Sequence, residues 1–354
     1  MLLAVVFLES CETTDLPYRE DALQLPSTTY DYKALNVADN FRVDTPKLDY
    51  VTNDGATLGR VLFYDRKLSV NNKVACSSCH HQELAFSDGK VQSEGFTDQK
   101  TRRNAMTIVN TLNESTFFWD SRSTDLTDMV LMPVRDHVEM GLEELGDLET
   151  KLKATSYYPE LFNAAFGSNE INQDKIADAL EQFLNSMVTA NSRFDEGQSS
   201  GNFDNFNQDQ IAGLNLFWGD AMCGSCHAGT DFRGSWGEDW ANIGLDMVYT
   251  DNGLGETQGT ASNGVFKVPS LRNIELTAPY MHDGRFQTLE EVVEHYSDNI
   301  QMHENLDWRL RSGNGEALRL NLNQIEKRQL VAFLKTLTDH QFINDEKFSD
   351  PFIH

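Results

Sequence analysis

Two copies of one five-residue motif carry the clearest chemistry in this sequence. They are Cys76-Ser77-Ser78-Cys79-His80 and Cys223-Gly224-Ser225-Cys226-His227. Cys-x-x-Cys-His is typical of haem c attachment, in which two thiols form thioether bonds with the vinyl groups and the next imidazole binds the iron. Two residues between the thiols place the sulfur atoms about one helical turn apart, which matches two vinyl groups on one porphyrin edge. The sequence therefore predicts two covalently bound haem c groups.

Two other uses of paired cysteines fit this pattern less well. Structural zinc sites combine Cys-x-x-Cys pairs that lie within about 15–20 residues of each other, whereas these pairs are far apart and each carries its own His. Thioredoxin-like redox sites explain neither the histidines nor the absence of a βαβ pattern. Haem attachment is therefore the favoured interpretation.

The start of the chain resembles the end of an export signal. An apolar run from Met1 to Leu8 leads through Glu9 and Ser10 to Cys11, much as a bacterial lipoprotein signal leads to its lipidated cysteine. The run is too short to span a bilayer, and the missing basic region indicates a truncated start; an accidental apolar terminus with a free thiol is the alternative. Because haem c is attached outside the cytoplasm in bacteria, we expect an exported protein that is periplasmic or anchored to the membrane through Cys11.

Length and charge limit the partners. The 354 residues suffice for two domains, since domains average about 100–200 residues, and of the five cysteines only Cys11 lies outside the motifs, so no disulfide framework is available. The net charge of −26 argues against nucleic acid and favours attraction to a basic electron-transfer partner. An acidic surface that only keeps the protein soluble explains the charge equally well.

The elements that must position the motifs are helices. Gly59 to Tyr64 and Gly213 to Trp218 form an internal repeat, and each predicts a helix that leads into its own motif. Further apolar residues recur at helical spacing; they are Ile176, Ala179, Leu180, Phe183, Leu184 and Met187, then Ile325, Phe333, Leu334 and Leu337. No stretch shows sustained period-two alternation, so we predict an all-α fold of two cytochrome-c-like haem domains with long loops.

The chain divides into three parts. We expect a signal-like start and polar tether at residues 1–45, an N-terminal haem domain at 46–195 and a C-terminal haem domain at 205–345. The boundary falls in 191–207, where Gly, Ser, Asn and Asp cluster without apolar periodicity. A second irregular stretch, 234–264, predicts a long surface insertion that contacts the other domain or a partner.

Across most of residues 50–340 the sequence resembles the bacterial dihaem cytochrome c peroxidases and their relative MauG. The segments that carry the resemblance follow the family's order and spacing; they are Leu58 to Asp65, Arg103-Asn104, Phe118 to Arg122, Val138-Glu139-Met140, Pro269 to Asn273 and Pro279 to Gly284. The resemblance implies that the N-terminal haem reacts with hydrogen peroxide and that the C-terminal haem relays electrons from a donor.

The resemblance also implies roles for single residues. Glu139 aligns with the family's distal carboxylate, which moves a proton between the two peroxide oxygens; without the match it would be an ordinary surface glutamate. Trp119 aligns with an electron-relaying tryptophan between the haems and would otherwise be a core aromatic residue. The distal glutamine of the family aligns with Met129, which cannot donate a hydrogen bond in its place.

Two departures concern the iron ligands. The loop histidine that caps the N-terminal haem in many of these peroxidases aligns with Phe96, which cannot bind iron, so the site resembles members such as MauG that are open when fully oxidised. His81 and His137 are conceivable substitutes, although both are more typical of surface positions. The axial methionine of the second haem aligns with Tyr296, where MauG also has tyrosine.

The local pattern agrees with Tyr296 as the ligand. Thr288 and Glu291 form a capping box, and the apolar residues that share a helix face with Tyr296 are Leu289, Val292 and Val293. The alternative is a core tyrosine, with Met281 or Met302 binding the iron instead. A phenolate ligand should stabilise ferric iron and lower the potential of this haem.

The resemblance further implies a calcium ion between the haem domains. Asn104, Thr277 and Pro279 align with the family's calcium ligands, a side-chain oxygen and two backbone carbonyls, and such oxygen ligands suit this cation. His282 lies in the same segment and is expected to be a pocket residue near the second haem.

We therefore interpret the chain as a dihaem c-type peroxidase that reduces hydrogen peroxide to water with electrons from a small cytochrome or cupredoxin. A MauG-like enzyme that oxidises a residue of a partner protein is the close alternative, which Phe96 and Tyr296 favour. A dihaem electron-transfer cytochrome without peroxide chemistry is the second alternative and requires both irons to be six-coordinate. A homodimer is compatible with each of these readings.

Overall fold

The computed structural model describes residues 23–39, 41–234 and 239–353 and shows a mainly helical protein. The α-helices are α1 (Thr45–Tyr50), α2 (Asn53–Tyr64), α3 (Leu126–Arg135), α4 (Leu145–Lys153), α5 (Tyr158–Phe166), α6 (Gln173–Ser186), α7 (Arg193–Ser200), α8 (Gln208–Trp218), α9 (Gly255–Gln258), α10 (Leu289–Glu294) and α11 (Gln324–Leu334). A short antiparallel ribbon pairs β1 (Trp240–Ala241) with β2 (Phe266–Lys267). Long loops connect these elements, as the sequence predicts.

Two hydrophobic cores are built on the same helix pairing. In the first core α2 packs against α6, and in the second α8 packs against α11. Each pairing depends on a glycine, because a Cβ atom on Gly59 would overlap the carbonyl oxygen of Ala179, and one on Gly213 would overlap that of Gln329. The internal repeat therefore marks the helix that meets its partner most closely, just before each cysteine motif.

The change from one core to the other occurs where the sequence predicts a boundary, but the segment is not irregular. Met187 belongs to the first core and Phe194 to the second. Between 191 and 207 the chain forms α7, which begins at a capping box between Ser192 and Asp195. The expectation of an unstructured linker is wrong here, since the polar residues that suggested a loop are helix caps.

Both ends of the described chain pack on the first core. Tyr32 is fully buried there. Residues 23–39 were expected to belong to a polar tether, but this part of the chain contributes to the first core. The last residues return to the same core through Phe342, within the expected second domain, and through Phe348 and Phe352, beyond its expected limit of residue 345. Cys11 lies outside the described residues. Within the described part of the chain, no helix has the length and apolar character needed to cross a membrane.

Candidate functional site

Each cysteine motif opens as a short 3₁₀ turn, at Cys76–Ser78 and Cys223–Ser225. Burial raises the pKa of Cys76 and Cys223 to about 12, and a thiol in such a site stays protonated at neutral pH. The described residues contain no group of three or more His, Cys, Asp or Glu side chains arranged to hold a metal ion. Neither the zinc nor the thioredoxin-like interpretation gains support from this geometry.

The two motif histidines are held in the same way. The Nδ1–H of His80 donates to the carbonyl oxygen of Phe86 at 2.8 Å, and that of His227 donates to Phe232 at 2.9 Å. A carbonyl can only accept, so Nδ1 carries the proton and Nε2 keeps the lone pair that a metal requires. Burial also lowers the pKa of both imidazoles, that of His227 to about 4. Both histidines are thus neutral and oriented for iron ligation.

The carbonyl groups that orient the histidines come from a backbone feature that the sequence analysis missed. Phe86 and Phe232 both have positive φ angles, 61° and 52°, in a region that residues other than glycine rarely adopt. The left-handed residue turns its carbonyl back toward the histidine. The available signal was a phenylalanine five or six residues after each motif histidine.

Glu139 lies beside the first motif. Its charge is close enough to the Cys76 and Cys79 thiols to raise the pKa of both. Burial, followed by repulsion from Asp136, raises the pKa of Glu139 itself to about 7, while the positive charge of Arg122 opposes the shift. A carboxyl group with a pKa near the working pH is suited to general acid–base chemistry.

Phe96 and Met129 are found near the same site. The backbone N–H of Phe96 donates to the carbonyl oxygen of Glu139 at 3.0 Å, and its ring lies so close to Gly141 that a Cβ atom there would overlap it. Met129 is buried in the first core. Of the two histidines weighed as substitutes, His137 is exposed and His81 is partly exposed.

The second motif faces a largely apolar cavity that collects most of the other expected site residues. These are His227, Tyr296, Met281, His282, Trp119, Asn104, Thr277 and Pro279. Tyr296 lies in a π-helical turn, His295–Asn299, that follows α10, and such turns occur frequently at functional sites. Burial raises the pKa of its hydroxyl. Met302 is 43% exposed and is not among the lining residues.

Trp119 connects this cavity to the first half of the chain. Its indole N–H donates to the carbonyl oxygen of Asn104 at 2.9 Å, and its own carbonyl accepts from the Lys267 backbone N–H at 2.8 Å. The neighbouring Phe118 packs against the first core. Two further hydrogen bonds fix the position of Asn104. Its backbone N–H donates to the carbonyl oxygen of His282, and its side-chain amide donates to the carbonyl oxygen of Lys90.

The residues present fit two covalently attached haem groups. Each motif offers two partly accessible thiols and one imidazole whose Nε2 is unprotonated. The second motif also has apolar walls of the kind that bury a porphyrin. Glu139 lies close enough to the first motif to influence the Cys76 thiol, and Tyr296 lines the cavity that the second motif faces.

Comparisons with known proteins agree with this geometry. The family model for di-haem cytochrome c peroxidase matches residues 53–202. The chain is 35% identical over 294 residues to cytochrome c551 peroxidase of Nitrosomonas europaea, covering 81% of both chains. It is 32% identical over 299 residues to the methylamine utilization protein MauG of Methylorubrum extorquens, covering 83% of this chain and 81% of the relative.

Solved structures show the same fold. A MauG-like protein associated with microbial copper homeostasis superposes with a TM-score of 0.77 at 32% identity, over 91% of this chain and 99% of the other. The dihaem peroxidase BthA of Burkholderia thailandensis superposes with a TM-score of 0.68 at 21% identity, over 91% of this chain and 93% of the other. At that identity the second likeness concerns the fold alone.

Proposed function

Because this chain belongs to the dihaem cytochrome c peroxidase family, we propose that it reduces hydrogen peroxide to water at the His80 site. Electrons from an external donor enter at the His227 site. A haem at each motif would supply the redox-active iron, and the two haems would occupy domains 46–195 and 205–345. The observation that carries the proposal is the partly buried Glu139 carboxyl group beside the first motif, with a pKa of about 7.

Glu139 supplies the proton transfers that the reaction needs. Near neutral pH its carboxyl group exists in both protonation states, so it can take a proton from hydrogen peroxide and return it to the departing oxygen as water forms. Met129 lies buried in the first core and offers no hydrogen-bond donor. Glu139 is therefore the residue that we expect to transfer the proton.

Trp119 and Tyr296 serve the second site in this proposal. Trp119 lines the same cavity as His227 while its neighbour Phe118 packs on the first core, and these contacts support a role for Trp119 in passing electrons between the sites. Tyr296 is our candidate for the second axial ligand of the His227 iron, with Met281 as the remaining alternative in that cavity. Replacing Tyr296 with Phe should change the spectrum and potential of this haem, and an unchanged spectrum would rule the ligand out.

A MauG-like oxidation of a partner protein is the second candidate function. Phe96 favours it, because a phenylalanine beside Glu139 has no atom that could bind the iron of a haem held at the first motif. Tyr296 favours it as well, since a phenolate ligand stabilises the higher oxidation states of iron. The MauG-like relative in copper homeostasis makes a protein from such a system a reasonable substrate to test.

The remaining parts of the proposal concern assembly. We propose calcium at Asn104, Thr277 and Pro279, three residues that lie around one cavity. Export to the periplasm, with or without a lipid anchor at Cys11, fits the attachment of haem c. The donor would be a small cytochrome or cupredoxin, and a homodimer is compatible with the family.

The test is the reaction of the purified dihaem protein with one equivalent of hydrogen peroxide. Absorption and low-temperature EPR spectra should be recorded in the fully oxidised and half-reduced states. Glu139→Gln should slow the reaction by about 10²–10⁴-fold, whereas Glu143→Gln, at an exposed position in the following loop, should leave it unchanged.

The redox state in which the protein reacts separates the candidates. Reaction while fully oxidised supports an open first site and the MauG-like candidate, and reaction only after half-reduction supports a gated peroxidase. Absence of reaction in both states would overturn the proposal and leave an electron-transfer cytochrome.

A further inference from the structure

One side chain organises the turn that carries Glu139. Asp136 follows the last residue of α3, and its Oδ1 accepts the backbone N–H of Val138 at 2.8 Å and that of Glu139 at 3.0 Å. Its backbone carbonyl accepts from Met140 and Gly141. Four consecutive N–H groups thus point at one residue, which fixes the backbone from which the Glu139 side chain projects.

The opposite side of this turn is closed by residues 95 and 96. The Phe96 N–H donates to the Glu139 carbonyl oxygen at 3.0 Å, and a Cβ atom on Gly95 would overlap the carbonyl oxygen of Val138. Such tight packing leaves the turn little room to relax. The backbone that carries Glu139 is therefore held from both sides, by the Asp136 hydrogen bonds and by the contacts with residues 95 and 96.

Asp136 is also an electrostatic neighbour of Glu139. Among the described residues, the charged groups that shift the pKa of Glu139 are Asp136 from the turn, which raises it, and Arg122 from the loop before α3, which lowers it. Arg122 is engaged by Asp120 at 2.9 Å and lies 3.5 Å above the Phe118 ring, so its charge is partly neutralised.

The carboxylate of Asp136 remains in contact with solvent. It lines an open cleft on the surface of the first half together with His137, Asp128, Asp174 and Asp178. Contact with water keeps the charged form of a carboxyl group favourable. Asp136 therefore contacts the open cleft on one side and the Glu139 turn on the other.

We propose that Asp136 is a positioning residue for Glu139: it fixes the 136–140 turn by hydrogen bonding and brings a carboxylate next to the Glu139 carboxyl group. The inference rests on the proposed role of Glu139 in peroxide chemistry. It adds a residue that acts through Glu139 without contacting the substrate.

Two substitutions separate the two effects. Asp136→Asn keeps an oxygen acceptor for the Val138 and Glu139 N–H groups but removes the charge, whereas Asp136→Ala removes both. Asp125→Asn is the matched control, because Asp125 caps the other end of α3 by accepting from the N–H groups of Thr127 and Asp128.

The main readout is an infrared titration of the protonated Glu139 carboxyl group in the holoprotein, assigned by its loss in Glu139→Gln. Asp136→Asn should lower the titration midpoint by about one unit, the size expected when a neighbouring like charge is removed. The control Asp125→Asn should leave the midpoint unchanged. The pH profile of the peroxide reaction should move with the infrared midpoint.

An Asp136→Asn midpoint equal to that of the wild type would overturn the inference. An Asp136→Ala variant with unchanged rate and midpoint would contradict it as well. A holoprotein that does not react with peroxide would refute the proposed function. The infrared titration does not depend on turnover, so it would still test the link between Asp136 and Glu139.

Discussion

The ion pairs of Arg103 offer a quantitative test of how the two halves of the chain are joined. Arg103 Nη1 lies 2.5 Å from Asp120 Oδ2 in the first half, and Arg103 Nε lies 2.7 Å from Asp251 Oδ2 in the long segment between β1 and β2. The exposed fractions of the three side chains are only 9%, 6% and 16%. We predict that Asp251→Asn weakens this junction in a strongly pH-dependent manner.

The expected magnitude follows from the pKa of Asp251. Burial alone would raise it, but the hydrogen bonds and charge of Arg103 lower the pKa from 3.8 to about 2. A carboxylate whose pKa is lowered by folding stabilises the protein above its unfolded pKa, by about 2 kcal/mol here, and the contribution is lost as the pH falls through the folded value. Asp251→Asn should therefore cost about 2 kcal/mol at pH 7 and about half of that at pH 3.

The assay is chemical denaturation of the holoprotein, followed by far-UV circular dichroism at both pH values. Asp246→Asn is the matched control, because Asp246 pairs with Arg285 in similar geometry while their side chains are 41% and 31% exposed. Exposed pairs contribute about 0–1 kcal/mol. Equal costs for both variants, or a cost for Asp251→Asn that does not decline at low pH, would refute the reasoning.

Two further predictions concern packing and the titration of the site. Gly213→Ala should lower the free energy of unfolding by about 1–3 kcal/mol in chemical denaturation, because the added methyl group would overlap the Gln329 carbonyl oxygen. The control is Gly146→Ala in α4, which should be neutral or stabilising because the space around Gly146 is open. Glu139 has a raised pKa of about 7, so its contribution to stability is full below the unfolded pKa and is lost as the pH rises through 7. Glu139→Gln should therefore be more stable than the wild type by about 3 kcal/mol at pH 8, with a gain below about 1 kcal/mol at pH 5 in the same assay.

Local signals in the sequence were sufficient for several helix boundaries. The capping box at Thr288 is formed as predicted, and α10 begins directly after it. A second capping box, at Asn323, precedes α11 in the same way. A capping box involves only residues within one turn, so tertiary structure has little power to change it. The same signal at Ser192 was hidden because its surroundings are rich in Gly, Ser and Asn.

Long-range packing could not be read from the sequence. Phe342, Phe348 and Phe352 follow the last helix of the second half, yet they complete the core of the first. The connection is made by contacts such as the hydrogen bond from the Tyr64 hydroxyl to the Phe348 carbonyl oxygen at 2.7 Å. No periodicity distinguishes an apolar residue that closes its own domain from one that closes another.

The site shows a comparable division between side chains and backbone. The cysteines and histidines of the motifs are recognisable by type and spacing, whereas the groups that orient the histidines are carbonyl oxygens of Phe86 and Phe232. Every residue has a carbonyl group, so its role here depends on the backbone conformation and not on the residue type. Asp136 was passed over for a related reason, since its partners are backbone N–H groups.

The difference between the two motifs lies in what accompanies them. Both histidines have the same donor geometry, with Nδ1–H bonded to a phenylalanine carbonyl at 2.8 and 2.9 Å, so the proximal side gives no reason for the two sites to act differently. Only the first motif has a titratable carboxyl group with a pKa near neutrality among the described residues, and the second faces an apolar cavity with Tyr296. Reduction of peroxide to water consumes protons as well as electrons, whereas electron relay alone does not. The asymmetry in proton supply therefore assigns peroxide to the His80 site in our proposal, independently of which site has the higher potential.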